Sequence, residues 1–318
     1  GGGAWSPLVE LPLPGVYDVA WAPTGDGSGL NLAVACADGS LRTFRVRGAE
    51  EGAGPDGPSC CAPVSEPCQV LEDAILTHVA WGALGPCGLA ATGQDGSVCH
   101  VEAAREGAGA VVLARRQAHE MEAWSVEVPL GSEHLVLSGA DDARLLGWDL
   151  RAPPEAPAAL ENRRSHEAGV TALACDPLRP HLLATGSYDE RVRLFDLRAL
   201  GAKTPLAETE RLGDGAYHIA WHPEWPGVLG VAAMRSGLPL LRVSDDCAGL
   251  HEFGRYAADA PEGSHGSLAY GVSWRARGSG ARPWLAASAS FYDRSVHVWA
   301  AAAPPWAAAE AAGGAEKK

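Results

Sequence analysis

One stretch of this chain occurs twice: residues 135–151 read LVLSGADDARLLGWDLR and residues 182–198 read LLATGSYDERVRLFDLR. Each copy is an apolar run, a tight turn carrying Asp, a second alternating run, an aromatic–Asp pair and an Arg. The copies begin 47 residues apart, within the period of one four-stranded propeller blade. A unit of that size buries its faces only against neighbours of the same kind, so the spacing limits the chain to a repeat architecture.

Aligned inner strands extend the repeat along the chain: YDVAW (17–21), THVAW (77–81), WSVEV (124–128), VTALA (170–174), YHIAW (217–221) and YGVSW (270–274). Each alternates as a strand does, and each is followed by a turn and a small-residue apolar run. Third strands follow as SLRTFRV, SVCHVEA, RLLGWDL, RVRLFDL, LPLLRV and SVHVWA. The expected fold class is all-β, a WD40-type β-propeller with about six visible blades and seven in the complete protein. Outer strands are expected at 110–118, 205–212 and 250–256, and SPLVELPL (6–13) also reads as one. Residues 5–300 are expected to form a single propeller domain. Within it, the Gly/Pro/Glu-rich stretch 47–68 reads as a disordered loop insertion, and 301–318 as a low-complexity tail.

Composition narrows the partners. A formal net charge of −14 argues against a surface built to grip nucleic-acid phosphates. The eight cysteines show no C-x-x-C pair and no regular spacing, so neither a disulfide framework nor a zinc site is expected. No apolar run approaches a membrane span and no signal peptide is evident. A cytoplasmic monomer with no metal, no membrane and no nucleic-acid partner is the expectation.

Scaffold residues must be set aside before a site is sought. WD-type blades share a network in which a His before the inner strand meets a Ser or Thr, a turn Asp and a Trp. The matching sets are His119, Ser138, Asp142 and Trp148; His166, Thr185 and Asp189, with Phe195 replacing Trp; and His265, Ser288, Asp293 and Trp299. An extra residue before Asp293 suggests a bulge there. Ser, His and Asp also make hydrolase triads, but recurrence at fixed offsets marks these as buried structural networks.

What is left is more informative. AHEMEAW (118–124) places Glu122 and Trp124 where the chain joins an inner strand, and Asp141 is a surplus carboxylate beside Asp142. SYDE (187–190) and SFYD (290–293) put Tyr188 and Tyr292 just before turn Asp residues, and WHP (221–223) adds His222 near His218. Inner strands begin with Tyr17, Trp124, Tyr217 and Tyr270. Aromatic faces near carboxylates suit a quaternary ammonium; packing between blades is the alternative use of the same rings.

Taken in order with their spacing, AHEMEAW, SGADDARLLGWDLR, LATGSYDERVRLFDLR, YHIAWHP, YGVSW and SASFYDRSVHVW resemble the diphthine methyl ester hydrolase family, WD-repeat proteins of diphthamide biosynthesis. The resemblance spans roughly residues 6–300. Departures are the absent first blade, FD at Phe195–Asp196 in place of WD, and a short insertion before the last blade. The resemblance implies a substrate, elongation factor 2 carrying methylated diphthine, and a reaction, hydrolysis of its methyl ester, with no cofactor. The chain carries no G-x-S-x-G elbow, so activated water is the expected nucleophile. Glu122 or Asp141 would activate it, Tyr188 or a backbone N–H would stabilise the oxyanion, and Tyr17, Trp124, Tyr217 and Tyr270 would hold the trimethylammonium group. The alternatives are a non-catalytic WD-repeat scaffold, a module presenting the elongation factor to another enzyme, or a cullin ubiquitin-ligase substrate receptor. The last rests on WDLR (148–151), with FDLR (195–198) as a near copy.

Overall fold

The computed structural model describes residues 11–22, 30–46, 61–82, 88–103, 108–199, 204–256, 265–275 and 284–301. They form six antiparallel meander sheets, the blades of a WD40-type β-propeller fold. Blade 1 is β1 (Val16–Trp21), β2 (Leu30–Cys36), β3 (Ser40–Val46) and β4 (Cys61–Pro63), with β5 (Cys68–Gln69) also pairing β3. Blade 2 is β6 (Leu76–Trp81), β7 (Gly88–Gly93), β8 (Ser97–Glu102) and β9 (Val111–Gln117). Blade 3 is β10 (Ala123–Glu127), β11 (Leu135–Ala140), β12 (Leu145–Asp149) and β13 (Leu160–Asn162). Blade 4 is β14 (Val170–Cys175), β15 (Leu182–Ser187), β16 (Val192–Asp196) and β17 (Ala207–Glu208). Blade 5 is β18 (His218–Trp221), β19 (Val228–Ala232), β20 (Leu238–Val243) and β21 (Leu250–Tyr256), and blade 6 is β22 (Ala269–Trp274), β23 (Trp284–Ser290) and β24 (Ser295–Ala301). Two compact units, Gly1–Glu161 and Asn162–Lys318, divide within β13, with blades 1 and 2 and nearly all of blade 3 in the first and blades 4 to 6 in the second.

Within each unit the core lies between consecutive blades. Leu41, Leu76, Val79 and Leu89 pack blade 1 on blade 2, and Leu194, Ile219, Trp221 and Leu229 pack blade 4 on blade 5. Repeated tryptophans add polar joints. The indoles of Trp81, Trp221 and Trp274 donate to the carbonyls of Ala20, Ala174 and Ala220 in the preceding blade, at 2.9, 2.8 and 2.9 Å. Only Trp combines a flat apolar body with an N–H donor, which explains its recurrence at the end of an inner strand.

Five inner strands break register at the same place. The shifts fall between Val16 and Asp18, Leu76 and His78, Ala123 and Ser125, Val170 and Ala172, and Ala269 and Gly271. Such a bulge leaves one residue unpaired and re-aims its side chain. The residues so placed are Tyr17, Thr77, Trp124, Thr171 and Tyr270. Both threonines are structural: Thr77 Oγ1 donates to Ala123 O (2.5 Å) and Thr171 Oγ1 to Ala216 O (2.6 Å). The aromatic members of the set are therefore the ones available for something else.

Several details differ from the sequence reading. The end of the expected loop at 47–68 is ordered into β4 and β5, because Cys61 is buried with Val34, Cys36 and Phe44; residues 47–60 lie outside those described, as do 6–10 of the expected first outer strand and 302–318 of the tail. The outer strand expected over 205–212 shortens to Ala207–Glu208. The extra residue before Asp293 makes no bulge in the β23–β24 ladder, which runs in unbroken register from Trp284↔Ala301 to Ser290↔Ser295. It enlarges the hairpin tip instead, where no ladder bond is at stake.

The hairpin turns carry a backbone cost. Gly39, Gly96 and Gly237 sit at φ of 76°, 81° and 78°, while Ala143, Glu190 and Arg294 hold 60°, 71° and 55° at the matching place. A side chain at Gly96 would also strike the His119 carbonyl, 2.5 Å from an ideal Cβ. The left-handed region costs a residue with a Cβ about 1–2 kcal/mol, against about 0.5–1 kcal/mol of extra chain entropy lost by Gly. Ala143→Gly is therefore expected to stabilise the protein by up to about 1 kcal/mol, read as a raised urea midpoint at unchanged slope; a lowered midpoint would contradict it.

Candidate functional site

The blade-locking networks separate from the site once their partners are seen. In blade 3, His119 Nδ1 lies 3.1 Å from both Asp142 oxygens, its Nε2 lies 2.8 Å from Ser138 Oγ, and Trp148 Nε1 donates to the same Oγ at 3.0 Å. All four expected residues take part. In blade 6 a fifth group intervenes: His265 bonds Ser288 through Nε2 and Ser295 through Nδ1, both at 2.8 Å, and Ser295 Oγ donates to Asp293 Oδ1 at 2.8 Å.

Blade 4 departs from the expected set. His166 Nε2 reaches Thr185 Oγ1 at 2.8 Å, but Asp189 is taken by Arg193, whose Nη1 lies 3.0 and 2.8 Å from its two oxygens. Arg193 stands directly across the ladder from Thr185, where blade 3 has Leu146 across from Ser138. That swap leaves His166 Nδ1 buried without a partner. Burial, reinforced by the Arg193 charge, pushes the His166 imidazole down from 6.5 to about 3. The unfolded chain binds this proton below 6.5 and the native chain does not until about 3, so stability present above 6.5 is lost as pH falls through that window. His166→Gln is expected to flatten that part of the curve of unfolding midpoint against pH; an unchanged slope would contradict the assignment.

His218 and His222 are also structural. His218 Nδ1 accepts the Val272 amide at 3.5 Å. His222 Nδ1 accepts the amides of Glu224 and Trp225, both at 3.2 Å, and its ring packs between Trp274 and Trp284. Arg151 forks onto Asp149 and Arg198 onto Asp196 with matching distances of 2.9, 3.2 and 2.6 Å. Each is a surface tether at the blade edge, of small energetic weight.

The remaining candidates fall into two groups, one in each unit. In the first, the bulge at Ala123/Ser125 aims Trp124, and the Asp141 amide donates to the Glu122 carbonyl at 2.9 Å. This bond ties the turn of the β11–β12 hairpin to the segment that leads into β10, so Glu122, Trp124 and Asp141 converge. Burial raises the Asp141 carboxyl above the usual carboxylate range, and the Glu122 and Asp142 charges add to the rise. The Trp124 indole opposes it without reaching hydrogen-bond geometry: its Nε1 and Asp141 Oδ1 are both shielded from solvent and lack a hydrogen-bond partner. Asp142 behaves oppositely. Burial works against its charge, yet the bond to His119 and two backbone amides hold it below the usual range. Asp142 is thus held as the anion of the blade-locking network, and Asp141 is the surplus carboxyl shifted the other way.

In the second group, Tyr188, Tyr217 and Tyr270 come together, and Tyr292 joins them. Ring centroids lie 6.4 Å apart for Tyr188–Tyr217, 4.7 Å for Tyr217–Tyr270 and 6.1 Å for Tyr270–Tyr292. Burial and a hydrogen bond with Tyr292 push the Tyr270 phenol up to about 12. Tyr17 is exposed on β1 and makes no ring contact among the described residues. Among those residues no three His, Cys, Asp or Glu side chains gather as a metal site.

The WD domain, G-beta repeat family matches residues 160–196, which cover most of blade 4. A diphthine methyltransferase homolog of Dictyostelium discoideum is 27% identical over 239 residues, covering 72% of this chain and 63% of that protein. Diphthine methyltransferase of Homo sapiens is 29% identical over 248 residues, covering 74% and 51%, and that of Mus musculus 29% over 273 residues, covering 84% and 55%. The chain is similar to proteins named diphthine methyltransferase. It spans about half to somewhat under two-thirds of the length of these relatives. Their name keeps the diphthine chemistry that the motifs suggested, and describes methyl transfer where the sequence reading expected ester hydrolysis.

Proposed function

We propose that this protein acts in diphthamide biosynthesis, removing the methyl ester of methylated diphthine on elongation factor 2 by hydrolysis. The observation that carries the reading is the meeting of Glu122 and Asp141 beside Trp124, with one carboxyl biased toward its protonated form. The similarity to diphthine-named relatives supports the substrate.

A base to activate water and an acid to protonate the departing methoxide are what the reaction needs. Glu122 takes a proton from water as its oxygen adds to the ester carbonyl carbon. The tetrahedral adduct then collapses, the carbon–methoxide bond breaks, and Asp141 supplies the proton that makes methanol. The new acid passes its proton to Asp141 and Glu122 returns its own to solvent, which leaves diphthine as a carboxylate and both residues as they began. The indole N–H of Trp124 is the side-chain donor proposed for the developing oxyanion.

The deciding experiment follows the intact mass of the modified elongation-factor peptide. With methylated diphthine and no methyl donor present, loss of the mass of a methylene and release of methanol are expected. A gain of that mass on unmethylated diphthine, seen only when a methyl donor is added, would replace hydrolysis by methyl transfer. No change in either direction would leave a binding module.

A further inference from the structure

We propose that Tyr188, Tyr217, Tyr270 and Tyr292 form a binding site for a quaternary ammonium group, with Tyr188 a wall of that site. The proposal deepens the reading above and depends on it for the identity of the natural ligand, while the site itself is built by residues of the second unit alone.

Four of the six tyrosines in the chain stand in this one cluster. They come from three consecutive blades by two routes. Tyr217 and Tyr270 lead into inner strands; Tyr188 and Tyr292 precede the turn aspartates of the β15–β16 and β23–β24 hairpins. Gly215 makes room for the assembly, since an ideal Cβ there would lie 2.9 Å from Tyr188 Cδ1 and 3.1 Å from Met234 Sδ.

Simple packing would bury such rings. Instead Tyr188 is 36% exposed and Tyr292 63% exposed, while Tyr217 and Tyr270 lie half-buried between them. Neighbouring rings are inclined at 51°, 79° and 48°, so no two present parallel faces. A methylated cation at the mouth of such a pair lies within about 6 Å of two ring centroids, the range over which ring quadrupoles attract it. It has no N–H to donate, so it needs apolar faces rather than acceptors. The ligand class is therefore a quaternary ammonium, and glycine betaine is a probe that carries one.

The test uses the 318-residue chain and two small probes, glycine betaine and 3,3-dimethylbutyrate, which differ only in quaternary nitrogen against carbon. Binding is followed by the NMR shift of the trimethyl proton signal, moved upfield by ring currents. Saturable binding of glycine betaine and markedly weaker binding of the isostere are expected. Tyr292→Ala should weaken betaine binding about tenfold, and Tyr292→Phe should retain it. Tyr188→Ala and Tyr188→Phe should repeat the contrast. Equal binding of the two probes, no binding of betaine, or indifference to both Ala variants in folded protein would overturn the proposal. Betaine binding without ester turnover would keep the site and remove the esterase reading; turnover without betaine binding would do the reverse.

Discussion

Glu122→Gln is expected to lower turnover of methylated diphthine by about 10²–10⁴-fold while leaving the urea midpoint unchanged. The side chain keeps its size and loses only the ability to take a proton. Its structural tie is through the main chain, Asp141 N to Glu122 O, which substitution does not touch. Asp141→Asn tests the partner role by a different readout. Burial and the neighbouring carboxylates raise the native Asp141 above the ordinary range, so its protonated form supports activity below that value. Activity is lost as pH rises through it. The Asn variant should lose this alkaline limb of the rate profile. Near-normal turnover in Glu122→Gln, or an unmoved limb in Asp141→Asn, would discard the assignment.

Arg193→Met is expected to cost about 3–5 kcal/mol of stability, the largest effect for any single residue discussed. Its side chain and that of Asp189 are 3% and 2% exposed. Removing the cation leaves a buried carboxylate whose remaining hydrogen bonds come from the amides of Glu167 and Arg191. Changing both partners, Arg193→Met with Asp189→Asn, should be far milder, because no uncompensated charge remains. Urea unfolding at neutral pH measures both variants. Equal losses in the single and double variants would mean that packing of the arginine stem, not the charge, accounts for the effect.

The same pair shows where sequence reasoning reached and where it stopped. The offsets of His166, Thr185 and Asp189 matched the network of blade 3, and that network formed as expected around His119. In blade 4 an arginine opposite Thr185 displaced the imidazole from its aspartate. The signal was present as Arg193 where blade 3 has Leu146. Its consequence was not, since it depends on the reach of a guanidinium across a ladder. Tyr292 gave a local signal too, immediately before Asp293, but its neighbours come from other strands.

Period and alternation alone determined the blade plan, the inner strands and the scaffold histidines, because a repeat imposes the same local contacts at the same offsets. They also singled out Glu122, Trp124 and Asp141 as residues that the repeat does not require. Only the tertiary structure decided which of these meet. Register bulges turned the aromatic side chains, a main-chain bond drew Asp141 to the Glu122 segment, and blade packing in the second unit assembled four tyrosines. The physical reason is range. Hydrogen-bond ladders and apolar alternation act between near neighbours in sequence, whereas proton affinity and ring contact depend on distances that exist only after the blades have packed.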